Sequence, residues 1–139
     1  MDNTSETIRN VLINTRSIAV LGASPNAQRA SNRVTGFLIK KGFDVIAVNP
    51  GHAGTEIHGA KVVASLGDLP HRVDMIDVFR ASDNLPAIAD AILALPWKPD
   101  VVWTQLDVRD DAVAARLEGE GITVIQDRCP AIEMPRLGL

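Results

Sequence analysis

At 139 residues, with 46% apolar and 22% charged side chains, the chain is long enough for one sizeable core and too apolar to be disordered. A formal net charge of −3 argues against a protein whose main business is binding nucleic acid, since phosphates call for a dense basic face, so no nucleic acid is expected as a partner. One cysteine cannot close an internal disulfide, no window approaches the roughly eighteen apolar residues of a membrane span, and the start Met1-Asp2-Asn3-Thr4-Ser5-Glu6 lacks a signal peptide's basic end and apolar stretch; a single cytoplasmic domain over residues 1–139, away from any membrane, is expected.

Ile8, Val11 and Leu12 form a stripe at i, i+3, i+4 behind the cap residue Thr4, which predicts an N-terminal helix over about 4–14. An apolar strand follows at 17–21 and runs into Gly22. Val34, Phe37, Leu38 and Lys41 mark a second helix, capped at Ser31 and ended by Gly42, and a second strand occupies 43–48. Residues 51–70 are rich in turn formers and read as a loop, with a small strand or helical turn in the apolar piece 62–66.

A third strand is expected at 74–79. The cleanest helical stripe comes next, Leu85, Ile88, Ala89, Ile92 and Leu93, with Ser82, Asp83 and Asn84 as cap residues and Pro86 in the first turn, where a missing N–H costs little. A strand at 101–106 precedes a helix marked by Val113 and Leu117, opened by Asp110 and Asp111 and closed by Gly119 and Gly121. The last strand is expected at 123–126.

Most of these strands are apolar on both faces, as parallel strands covered by helices must be. Their alternation with helices predicts an α/β, Rossmann-like, doubly wound sheet of five parallel strands, in order 3-2-1-4-5, with helices on both faces. Ligands of such sheets sit beyond the carboxyl ends of the strands, where the winding reverses, here expected between the first and fourth strands.

The first strand end begins like a dinucleotide fingerprint, but Ser24 and Ala27 stand where its second and third glycines would be. Gly22 still permits a tight turn, and Ala23 and Ser24 are small enough to bring backbone N–H groups near a ligand; a turn with no ligand needs the same glycine. Arg29 and Arg33 flank Ser31 at the start of the second helix. A cation there opposes the helix dipole unless an anion intervenes, so these three residues are candidate phosphate contacts, the alternative being that both arginines point into solvent. The second strand ends in Val48-Asn49-Pro50-Gly51-His52, without the carboxylate that NAD enzymes use for the ribose, which argues against NAD.

Ile18 to Pro25, Ser31 to Val34, Val48-Asn49-Pro50, Val73-Asp74 with Asp77 to Arg80, Val102-Trp103 with Gln105-Leu106, and Asp127 to Pro130 together resemble the CoA-binding domain family, small stand-alone proteins similar to the N-terminal domain of the succinyl-CoA synthetase alpha subunit. The resemblance runs from about Ser17 to Ile132. It implies CoA or acyl-CoA as cofactor, with the loop from Gly22 through Ala27, including Ala23, Ser24 and Pro25, near the phosphates and Val48, Asn49, Pro50 and His52 around the 3′-phosphoadenosine end. His52 stands where the family often has lysine. By the same resemblance, Val78, Phe79 and Arg80 border the adenine or pantetheine, and the pantetheine arm crosses Thr104, Gln105 and Leu106.

No nucleophile with a matched base is evident, so a CoA-binding module without chemistry of its own is expected, alone, as a homodimer or with a protein partner. Cys129 after the last strand leaves an alternative, a thiol redox switch or small enzyme using bound CoA, with Arg128 available to lower its pKa; the other reading of Cys129 is an inert buried thiol. An NADP-dependent reductase is a further alternative. His52, His58 and His71 lack ligand spacing, so no metal is assigned. Asp107, Asp110 and Asp111 read as helix-capping charges, acid/base work being the alternative, and Trp97 and Trp103 as packing residues.

Overall fold

The computed structural model describes residues 4–139. Thr4 accepts a hydrogen bond from the N–H of Thr7 and opens α1, Ser5–Asn14, whose Ile8, Val11 and Leu12 are buried as their spacing predicts. Then follow β1 (Ser17–Leu21), α2 (Ala30–Lys40), β2 (Asp44–Val48), a 3₁₀ turn at Pro50–His52, the hairpin of β3 (Glu56–Ile57) and β4 (Ala60–Val63), and β5 (Met75–Val78). A 3₁₀ turn at Ser82–Asn84 leads into α3 (Leu85–Leu93), followed by β6 (Val101–Thr104), α4 (Asp111–Glu118), β7 (Thr123–Ile125) and α5 (Pro130–Arg136).

Among the described residues the sheet has seven strands in the order β3-β4-β2-β1-β5-β6-β7, all neighbours parallel except the β3–β4 pair. This corrects the expected five strands and their order. The segment at 60–63 supplies a parallel neighbour for β2, so β5 is displaced to the other side of β1, and the winding reverses between β1 and β5. The cause is local: β4 is four residues long and β3 two, too short to stand out among the turn residues of 51–70.

Two layers of helices cover the sheet. Ile18 and Val20 pack with Trp103 and Ile125 against α1, α2 and α5, while Ala19 and Leu21 pack with Ile76 and Val102 against α3 and α4. Trp103 is fully buried and donates its Nε1–H to the Arg128 carbonyl at 2.8 Å, tying the end of β7 to β6.

The start of α2 differs from expectation, while that of α3 falls on one of its three expected cap residues. Arg29, not Ser31, is the N-cap of α2 and makes no side-chain cap bond; Ser31 lies inside the helix and is buried. Ser82, Asp83 and Asn84 form the turn before α3, and the N-cap Asn84 makes no side-chain cap bond either. Asp110 does cap α4, accepting from Val113 N–H at 3.1 Å. α5 has no counterpart in the sequence reading, because prolines at both Pro130 and Pro135 disguise a seven-residue helix.

Two aspartates three residues apart, Asp74 and Asp77, are held in opposite electrostatic senses. At the amino ends, Asp74 Oδ2 accepts from the N–H groups of Arg16 (2.9 Å) and Ser17 (3.2 Å), and Oδ1 pairs with Arg72 Nη1 at 2.7 Å, whose Nη2 reaches Asp100 at 2.6 Å. Burial raises the Asp74 pKa, but these backbone donors and Arg72 outweigh it and hold the carboxyl below 3.8. Three residues on, Asp77 is wholly buried between Val20 and Trp103; its Oδ1 accepts from Gln105 Nε2 at 2.7 Å and its Oδ2 has no partner among the described residues. Burial pushes Asp77 up to about 7, partly offset by the Gln105 bond.

The pH dependences follow with opposite signs. The stabilisation from Asp74 is present above the ordinary carboxylate pKa of 3.8 and is lost as pH falls through its lower folded value. Asp74→Ala is therefore expected to cost ~2 kcal/mol at neutral pH in urea unfolding, the gap closing in acid; an equal cost at all pH values would contradict this. Folded Asp77 retains a proton that the unfolded chain has already released between its ordinary 3.8 and about 7, so stability falls as pH rises through that window. Asp77→Asn, which keeps an acceptor for Gln105, should be more stable than wild type at pH 7.5 and remove a slope on the order of 1 kcal/mol per pH unit.

Candidate functional site

The carboxyl ends of β2, β1 and β5 meet at Gly22. Gly22 N–H donates to the Val48 carbonyl at 3.0 Å, Phe79 N–H donates to the Leu21 carbonyl at 2.8 Å, and the chain turns away at φ +88°. A Cβ on Gly22 would lie 2.8 Å from the Phe79 carbonyl oxygen, so glycine is required for both the dihedral and the space.

Beyond that turn two side-chain amides take hold of the loop. Asn49 Nδ2 donates to the Ala23 carbonyl at 2.7 Å, and Asn32 Nδ2 donates to the Ser24 carbonyl at 3.0 Å. In a trans peptide the N–H points opposite to the C=O, so fixing the Ala23 carbonyl on Asn49 turns the Ser24 N–H away from Asn49. The N–H groups of Ala23, Ser24, Ala30 and Ser31 have no partner among the described residues. All four residues line one cavity of ≈ 390 Å³, together with Gly22, Arg29, Asn49, Phe79 and Arg80. Unpaired N–H groups at a turn and at a helix start, with two arginines, suit an anion.

A second hollow, of ≈ 650 Å³, adjoins it through Arg80, which lines both. Its walls are mostly apolar: Leu21, Val48 and Pro50 from the strand ends, Leu66 and Gly67 from the turn after β4, and Ala87, Ile88 and Ala91 along α3. A polar cavity for an anion therefore opens beside an apolar slot with room for a flat ring.

Of the residues singled out by sequence, Gly22, Ala23, Ser24, Arg29, Ser31, Asn49, Phe79 and Arg80 line the polar cavity, and Val48, Pro50 and again Arg80 line the apolar one. Pro25, Arg33, His52 and Gln105 line neither. Arg33 turns back and donates to the Gln28 carbonyl at 2.9 Å, His52 lies exposed on its 3₁₀ turn, and Gln105 is buried against Asp77. Both polar ends of Asn49 are engaged, since Oδ1 accepts from Gly51 N–H at 2.9 Å, so this side chain braces the loop. The sequence reading missed Asn32 as a loop anchor and the α3 wall; Ala87 and Ala91 are small residues on a helix whose larger ones carry the periodic signal.

Cys129 is 9% exposed at the start of α5. Burial pushes its thiol above 9.0, the N–H groups of Ala131 and Ile132 offset this in part, and the Asp77 and Glu133 charges add to the rise. The sequence reading had Arg128 lowering that pKa; the thiol is instead held protonated at neutral pH. Among the described residues no three His, Cys, Asp or Glu side chains converge on a metal position, and no helix is long and apolar enough to cross a membrane.

The chain is similar to known proteins in sequence and in overall fold. An uncharacterized protein of Bacillus subtilis, YneT, is 33% identical over 130 residues, covering 93% of each chain. The cell-free protein ID.343 of Thermus thermophilus superposes with a TM-score of 0.89 at 37% identity, over 96% of this chain and 98% of its own. A hypothetical protein of Pyrococcus horikoshii does so at 0.88 and 29% identity, over 98% and 93%. The family model described as the CoA binding domain matches residues 16–135, from the first strand through α5, and by that match the chain belongs to the CoA-binding domain family.

Proposed function

We propose that this protein binds CoA or acyl-CoA at the carboxyl ends of its parallel strands and carries no catalytic machinery of its own. The observation that supports this reading most directly is the braced loop: Asn49 and Asn32 hold the carbonyls of Ala23 and Ser24 aside, leaving N–H groups along a cavity that Arg29 and Arg80 also line. In this reading the pyrophosphate occupies that cavity and the adenine lies in the apolar slot between Pro50 and Ile88. Arg80, common to both, pairs with phosphate at the junction.

The β2 end also distinguishes CoA from NAD. It has no carboxylate for the ribose diol, and the Asn49 amide already braces the loop through the Ala23 carbonyl and the Gly51 N–H. Membership of the CoA-binding domain family supports the same choice of ligand. No acid–base pair lines either cavity, and Cys129 is buried and protonated, so the reading is of a binding module.

Thermal unfolding tests it. CoA at about 100 times its Kd should add ~2.7 kcal/mol and raise Tm by roughly 5–10 °C, while NAD at the same concentration leaves Tm unchanged. Arg29→Ala and Arg80→Ala should each weaken CoA binding ~10-fold, whereas Arg33→Ala should stay within about twofold of wild type. An equal shift with NAD, or a larger loss from Arg33→Ala than from Arg80→Ala, contradicts the assignment. Incubation with CoA disulfide followed by intact mass measurement tests the thiol: the mass should not change, and an added CoA would establish Cys129 as a redox switch.

A further inference from the structure

His58 stands at the tip of the β3–β4 hairpin and has no place in the nucleotide-binding reading, yet the chain adopts two locally unfavourable features to accommodate it. Its backbone is left-handed, φ +50°, in a two-residue turn with Gly59 at φ +85°, where asparagine or aspartate is the usual partner of glycine. Opposite it, Gly36 interrupts the middle of α2, a position where alanine favours the helix. A Cβ at Gly36 would lie 3.1, 3.2 and 3.3 Å from Nε2, Cε1 and Cδ2 of the His58 ring. The glycine thus leaves the space in which the imidazole lies across α2.

From there the ring reaches the site. His58 Nε2 is 2.8 Å from Asn32 Oδ1, and Asn32 Nδ2 in turn donates to the Ser24 carbonyl. The bond to Ser24 orients the Asn32 amide with Oδ1 toward the ring, so Nε2 carries the hydrogen and donates. Both the neutral ring in this tautomer and the imidazolium can make that bond. We infer that His58 is a positioning residue for the nucleotide site: through Asn32 it fixes the Ser24 carbonyl and so anchors the far end of the 22–24 loop, whose residues line the cavity. Local rules broken at two facing positions for one hydrogen bond are expected where function, rather than stability, sets the residue.

This inference rests on the CoA-binding reading, and one pair of measurements separates the two. His58→Asn relieves the left-handed strain, since asparagine tolerates that region, but its shorter side chain lacks the ring that spans to Asn32. The expected result is a Tm of the ligand-free protein equal to or above wild type together with a ~10-fold rise in the CoA Kd by calorimetry. Gly36→Ala, which displaces the ring from the other side, should weaken CoA comparably. A purely structural role predicts the reverse, a lowered Tm with unchanged Kd. Wild-type protein that fails to bind CoA overturns the nucleotide reading and this inference with it; wild type that binds while both variants match its Kd overturns the positioning role alone.

Discussion

The carbonyl oxygen of Phe79 lies so near the α-carbon of Gly22 that any β-carbon there would come within 2.8 Å of it. Three strand ends are therefore drawn together at one atom's clearance: β1 through Gly22 itself, β2 through the Val48 carbonyl that accepts its N–H, and β5 through Phe79. Because the turn leaves β1 at a positive φ, the next two peptides pass directly over the sheet edge, where Asn49 and Asn32 can reach their carbonyls. The polar cavity, the start of α2 and the place of Arg80 all follow from that approach.

Seen this way, the missing glycines of a dinucleotide fingerprint have a physical replacement. Second and third glycines let a backbone come close to a pyrophosphate and let a helix pack close to a strand. Here a small pair, Ala23 and Ser24, is held by side-chain amides from two other elements, and charge comes from Arg29 and Arg80. The protein carries a net charge of −3, so on the proposed reading the field that favours an anion is local, supplied by unpaired N–H groups and these two cations. Arg29 at an uncapped helix start places positive charge where the dipole is also positive, an arrangement that an anion relieves.

Asp77 shows a different compromise. A buried carboxyl with an oxygen unpartnered among the described residues is destabilising when ionised, and its other oxygen is held by Gln105, just beyond β6. The bond draws Gln105 inward, which is why a residue expected to meet the pantetheine arm lines neither cavity. Cys129 lies within the electrostatic reach of Asp77 and Glu133, and a thiol so placed is hard to ionise.

The alternation of apolar runs with helical stripes determined the α/β class, the helices at 5–14 and 85–93, and the strand at 17–21, because these depend on period and composition, which are local. The glycine at position 22 and Arg29 likewise pointed to the loop and helix start that line the polar cavity. Tertiary structure decided the rest. It placed the four residues of β4 beside β2, moved β5 next to β1, and turned Arg33 and Gln105 away from the cavities while bringing Arg80 between them. It also joined His58 to Asn32 and Asn49 to Ala23, pairs 26 residues apart in each case. Short strands carry too little periodicity to be read alone, and a hydrogen bond between distant side chains leaves no mark on the local pattern of either partner; both exist only once the sheet has brought their backbones together.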